Sequence, residues 1–184
     1  MKFSELIEQS QNEINENKIN AGKFFGLSQE QMNWQPAPGK WSIAQCMEHV
    51  NIVSRHYLKY MNFNTAIKTM EDMEYKAGFP GGLLTRIFSK TPSKLRLKTT
   101  KSFSPQNNLN GMEILKEFIS NQEKMLHLAD QTVGYDLNRN KVPSPAGSFI
   151  KFRFGDVLNL DTKHTARHLF QAGNVMKAAG FPAQ

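Results

Sequence analysis

From Ile43 to about Met70 the chain runs without a proline or glycine, and Cys46, Val50, Val53, Tyr57, Tyr60 and Met61 recur along it at helical spacing. Just before it, Ser42 and Gln45 form an S-x-x-Q pair, which caps a helix start because the hydroxyl and the amide each satisfy a free backbone N–H. The spacing predicts one long helix over Ile43–Met70. A helix with a single apolar stripe cannot stand alone, so partners of similar length are required.

Three further segments supply them. Residues 3 to 25 place Phe3, Leu6, Ile7, Ile14, Ala21, Phe24 and Phe25 among polar residues. Asn110 with Glu113 repeats the capping pattern ahead of Ile114, Leu115, Phe118, Ile119, Met125 and Leu128. A last helix is expected from about Asp156 to Ala179, where Gly180 and Pro182 supply a stop. Between these lie a connector from Gly26 to Trp41, a breaker-rich crossover from Ala77 to Pro105, and a Gly/Asn/Pro/Ser-rich stretch over 132–148. Phe149, Ile150, Phe152 and Phe154 alternate incompletely with Lys151 and Arg153, predicting a brief extended lead-in to the last helix. The expectation is a single all-α domain over 1–184, a four-helix bundle with long crossover connections. At 184 residues, with 39% hydrophobic side chains, the chain can fill one core.

The formal charge of +7 raises the question of a nucleic-acid partner, and its placement argues against one. Lys76, Arg86, Lys90, Lys94, Arg96, Lys98 and Lys101 lie between Glu74 and Glu113 with no acid among them, and the rest of the chain is balanced. The basicity is one segment with no known recognition motif, read as a solvated loop. That segment could instead recruit an anionic substrate, or interleave Leu95, Leu97 and Phe103 against a protein partner. No apolar stretch approaches the roughly 20 residues that cross a bilayer, no secretory pattern opens the chain, and Cys46 is the lone cysteine. A cytoplasmic location is expected.

His164 and His168 form H-x-x-x-H in the last helix, one turn apart on the face that carries Val157, Leu160, Gln171 and Val175. His49 lies on the apolar stripe of the Ile43 helix and can face that pair across the bundle. Three imidazoles suit zinc, nickel, iron or copper and leave positions open for water or substrate. Spacing alone equally allows hydrogen-bonded core histidines. His56, two turns from His49, is too distant to share its ion, and His127 has no partner at metal spacing; both read as structural or exposed. Cys46 reads as packing, Glu48 as solvated, and Trp34 and Trp41 as packing at the lead-in to the Ile43 helix. Thr165 stands where an H-E-x-x-H protease carries its glutamate, which disfavours that chemistry.

W-x-P-x-P-G-K-W-S-I from Trp34 to Ile43 leading to His49, P-x-G at Pro145 to Gly147, and H-T-A-R-H at 164–168 followed by Gln171 resemble the DinB-like superfamily over most of the chain. The resemblance implies an up-down-down-up bundle, a metal held by His49, His164 and His168, and often a homodimer. The metal it implies is commonly zinc or nickel, with iron, manganese or cobalt as further options. Family members include transferases and isomerases that use low-molecular-weight thiols such as bacillithiol or mycothiol, alongside proposed metal-dependent hydrolases. The long basic crossover departs from that pattern. The leading expectation is a metal-dependent thiol S-transferase, with Gln171 hydrogen-bonding a water or substrate one turn beyond His168. Alternatives are a hydrolase activating water and a nonenzymatic binding protein with a structural metal.

Overall fold

A computed structural model describes residues 1–89, 103–145 and 147–183. Of the basic segment, Lys90, Lys94, Arg96, Lys98 and Lys101 lie outside the described residues, as do Leu95, Leu97 and the central residue of Pro145–Gly147. The long helices are α1 (Phe3–Ala21), α3 (Ile43–Tyr60), α5 (Gly111–Gln131) and α6 (Phe154–Met176). Short helices α2 (Gln29–Asn33) and α4 (Phe79–Phe88) sit in the connections, and β1 (Lys141–Ser144) pairs antiparallel with β2 (Gly147–Arg153).

Side-chain pairings give the helix directions. Leu6 meets Gly155, Asn17 donates to the Thr162 carbonyl, and Lys23 lies against Gly173, so α1 and α6 rise together. Gln11 with Asp130 and Lys18 with Glu123 run α5 opposite to α1. His49 opposite His164 and His168, with Ser54 and Tyr57 beside Asp161, runs α3 opposite to α6. The order is therefore up, down, down, up.

The helix starts expected from the sequence are present. Ser42 Oγ accepts from Gln45 N–H, while Gln45 Oε1 accepts from Ser42 N–H. Asn110 accepts from Glu113 N–H in the same way. α6 starts at Phe154 because the Asp156 carboxylate, fully buried, accepts from Arg153 N–H at its own first turn.

Three expectations need correction. The helix begun at Ile43 ends at Tyr60, not near Met70. Met61 leaves helical geometry and buries its side chain, Asn62 accepts from Asn64 N–H in a local turn, and 67–75 is stitched as extended chain. Its backbone bonds to Gly134 and Asp136 on one side and to Met1 and Phe3 on the other, so cross-chain pairing overrides local helical spacing there.

The connector from Gly26 to Trp41 holds α2, whose Ser28 and Gln31 form their own capping box. The crossover at Ala77 is not wholly irregular, since its breakers sit where a helix tolerates them. Pro80 lies in the first turn of α4, where no intrahelical N–H is lost. Gly78 and Gly81 face Asp156, and a Cβ on Gly81 would stand 2.5 Å from its Cβ and Cγ. α4 thus docks on α6 by the smallness of those residues. The lead-in is extended as expected over 149–153, as part of β2, and Phe154 already belongs to α6.

Buried apolar side chains form two clusters. One gathers Phe3, Leu6, Val53, Tyr57, Leu128 and Leu160, the other Phe24, Ile43, Val50, Leu115, Phe118 and Leu169. Buried polar residues His49, Ser54, Gln122, Asp161, His164, Thr165 and His168 belong to neither. Among the described residues no helix is long and apolar enough to cross a membrane.

Candidate metal centre

α3 and α6 bring His49, His164 and His168 together, each less than a tenth exposed. His164 Nε2 lies 3.1 Å from Nε2 of His49 and 3.1 Å from Nε2 of His168, and one ligand atom from each ring falls within 4.8 Å of the others. Nitrogens about 2.1 Å from one ion stand about 3.0 Å apart at right angles and about 3.4 Å apart at the tetrahedral angle. The two spacings from His164 lie between those limits.

The protonation pattern points the same way. His49 Nδ1 is 2.8 Å from the Phe103 carbonyl, which can only accept, so that nitrogen carries the proton and the His49 Nε2 lone pair faces the cluster. A single proton on His164 Nε2 can serve one of its two neighbours. A cation serves all three.

Burial lowers the pKa of His49 despite its bond to Phe103. It drives His164 and His168 well below the ordinary imidazole value, with the neighbouring histidines and Arg167 adding to the effect. All three are neutral near pH 7, the state in which imidazole ligates metal. Gln171 bears on the His168 ring in the opposite direction, as a hydrogen-bonding neighbour one turn along α6.

Aromatic rings wall the cluster. Trp41 stacks on His168 with centroids 5.7 Å apart and lies 4.9 Å from His49, and Phe88 at the end of α4 lies 5.1 Å from His164. Arg167 sits over the Phe88 ring at 5.8 Å. Trp41 is therefore a wall of the site and not packing alone, whereas Trp34 packs edge-on against Phe181. The solvated reading of Glu48 is corrected too: its carboxylate is paired with Arg55 at 2.8 Å and its side chain is 14% exposed.

His56 is held by the Pro143 carbonyl, and His127 is exposed on α5; neither joins the cluster. Cys46 is fully buried with its thiol pKa pushed up by desolvation, which suits packing and not ligation. Asp161, Phe88 and the Phe103 carbonyl carry no motif, and Arg167 falls inside H-T-A-R-H with no role assigned to it from the sequence. Only the i, i+3 relation of Asp161 to His164 could have singled one of them out.

The family model of the DinB superfamily matches residues 23–172. The chain belongs to the DinB superfamily. In this DinB-superfamily protein the matched span contains all three clustered histidines and begins within the turn after α1. Comparison with the curated proteins finds no match. Among solved structures, the chain is similar to YfiT from Bacillus subtilis, described as a probable metal-dependent hydrolase with an unusual four-helix bundle topology. The identity is 10%, the TM-score 0.49, and the likeness covers 96% of this chain and 89% of that one. At that distance it carries nothing about chemistry.

Proposed function

We propose that this DinB-superfamily chain holds one divalent transition ion through Nε2 of His49, His164 and His168, zinc or nickel first, and activates a low-molecular-weight thiol for S-transfer. The observation that carries the reading is the convergence of three neutral Nε2 atoms from two helices, behind aromatic walls, with no carboxylate in the cluster among the described residues. An ion with open positions lowers the pKa of a bound thiol or water and so presents a nucleophile at neutral pH. A thiol needs no separate base for this. Glu48, the acid nearest in sequence to His49, is engaged by Arg55.

The surroundings suit a soft, partly apolar, anionic substrate. Trp41 and Phe88 limit water around the ligands. Arg167 places a positive charge close enough to act on His164 and His168. Five basic residues from Lys90 to Lys101 lie in sequence between Phe88 and Phe103, both of which touch the histidines. Positive charge tied to a site raises the local concentration of anions and quickens their capture.

The test is proton release. Adding bacillithiol to zinc-loaded protein at pH 7 is expected to liberate close to one proton per thiol bound, read by calorimetry in two buffers, and His164→Ala should liberate none. Zinc-loaded protein that binds no thiol but hydrolyses activated esters hands the site to water activation. Protein purified without a tag that takes up no metal overturns the reading altogether.

A further inference from the structure

One of the three histidines has a hydrogen-bond partner for the ring nitrogen turned away from the cluster side. His49 donates Nδ1–H to Phe103, whereas His168 Nδ1 is buried without a partner, with Gln171 one turn along. His164, the central ring whose Nε2 contacts both others, has a buried Nδ1 with no hydrogen-bond partner among the described residues. If its Nε2 ligates an ion, Nδ1 must carry the proton, and a buried N–H without an acceptor is unfavourable.

One turn earlier on α6 stands Asp161. Its carboxyl is 1% exposed, and neither oxygen has a hydrogen-bond partner among the described residues. Residues three apart on a helix are neighbours on one face, so Asp161 and His164 are adjacent. Ser54 Oγ, beside Asp161 on α3, and Thr165 Oγ1, next to His164 on α6, are likewise buried and unpartnered. An orphan donor and orphan acceptors share the polar layer between two apolar clusters. Evenly spread unsatisfied groups would be a defect; donor and acceptor placed one helical turn apart are a pair waiting for the charge that aligns them.

We propose that Asp161 is the positioning residue of the metal centre, its carboxylate accepting Nδ1–H of His164 in the metal-loaded protein, either after rotation about its side-chain bonds or through one buried water. The inference rests on the metal-binding reading above. Burial pushes the Asp161 pKa up to about 7. A cation on the far side of His164 offsets that burial cost by favouring the ionised carboxylate.

The experiment compares wild type, Asp161→Asn and Glu13→Gln, a control on the α1–α6 contact, all full-length. Zinc affinity is measured by chelator competition, visible spectra are recorded with cobalt in place of zinc, and melting is followed without metal. Asp161→Asn is expected to weaken zinc binding by about 10–100-fold and to shift the cobalt bands, with metal-free melting not lowered. Glu13→Gln should leave affinity and spectrum unchanged. Equal affinity and an unchanged spectrum in Asp161→Asn overturn the proposal. If Asp161→Asn does not fold, Asp161→Ala is read in its place, and failure of both to fold without metal makes Asp161 a structural residue and overturns its positioning role. Wild type that binds no zinc overturns the metal reading itself, an outcome distinct from a variant-specific null.

Discussion

His49 donates its Nδ1 proton to the backbone carbonyl of Phe103 across 2.8 Å, and this one bond decides which nitrogen of His49 faces His164. The acceptor belongs to the main chain, so the ring of Phe103 is dispensable for it. Phe103→Ala is expected to keep about one metal per chain, whereas His164→Ala, which removes the nitrogen in contact with both others, should fall to background. Elemental analysis of untagged protein checks both. Loss of metal in Phe103→Ala alone would contradict the assignment.

Gly81 reverses an ordinary rule. Replacing a helix-interior glycine by alanine commonly stabilises a fold by about 0.4–1 kcal/mol where space allows. Here the added methyl would stand 2.5 Å from side-chain carbons of Asp156, which is itself held by Tyr75, Gly78 and Arg153. Gly81→Ala should destabilise by about 1–3 kcal/mol in urea unfolding. By displacing α4 it should also move Phe88 from His164, raising metal dissociation rates.

Ser42 links sequence to site through the start of α3. Its hydroxyl accepts from Gln45 N–H, and the Gln45 amide also reaches Gln106 and Asn107, which precede α5. Ser42→Ala should cost about 1 kcal/mol, read as a lower urea midpoint with unchanged slope. Ser42→Asn should recover part of that loss. No recovery would mean that packing, not capping, is what Ser42 supplies.

Glu13 sets a pH dependence at the α1–α6 contact. Burial opposes its ionisation, but hydrogen bonds from Lys163, Thr162 and Gln9 and the Lys163 charge outweigh it and hold its pKa below the usual 4.5. A depressed carboxylate contributes stability that is full above the unfolded pKa and is lost as pH falls through the folded one. Glu13→Gln should therefore be less stable by about 1 kcal/mol above pH ~5, converging with wild type in acid. A difference independent of pH would assign the loss to packing.

The histidine set was legible because two of its members lie one turn apart on α6 and the third sits on the apolar stripe of α3, and helical periodicity is a local property. The long helices were legible for the same reason, with capping side chains marking two of their starts. Where α3 stops was not: residues 67–75 find backbone partners at 134–136 and at the N-terminus, distant in sequence. α4 was hidden because proline and glycine read as breakers unless one knows that Pro80 opens a helix and that Gly81 meets Asp156.

Sequence alone therefore determined the four amphipathic stripes and the three histidines, since spacing along a helix specifies which side chains share a face. Only the tertiary structure decided what surrounds them. It put Trp41 and Phe88 against the rings and the Phe103 carbonyl on His49, and it buried the Asp161 carboxyl without a partner. Those relations depend on how separate helices and connections pack, and no local period encodes that.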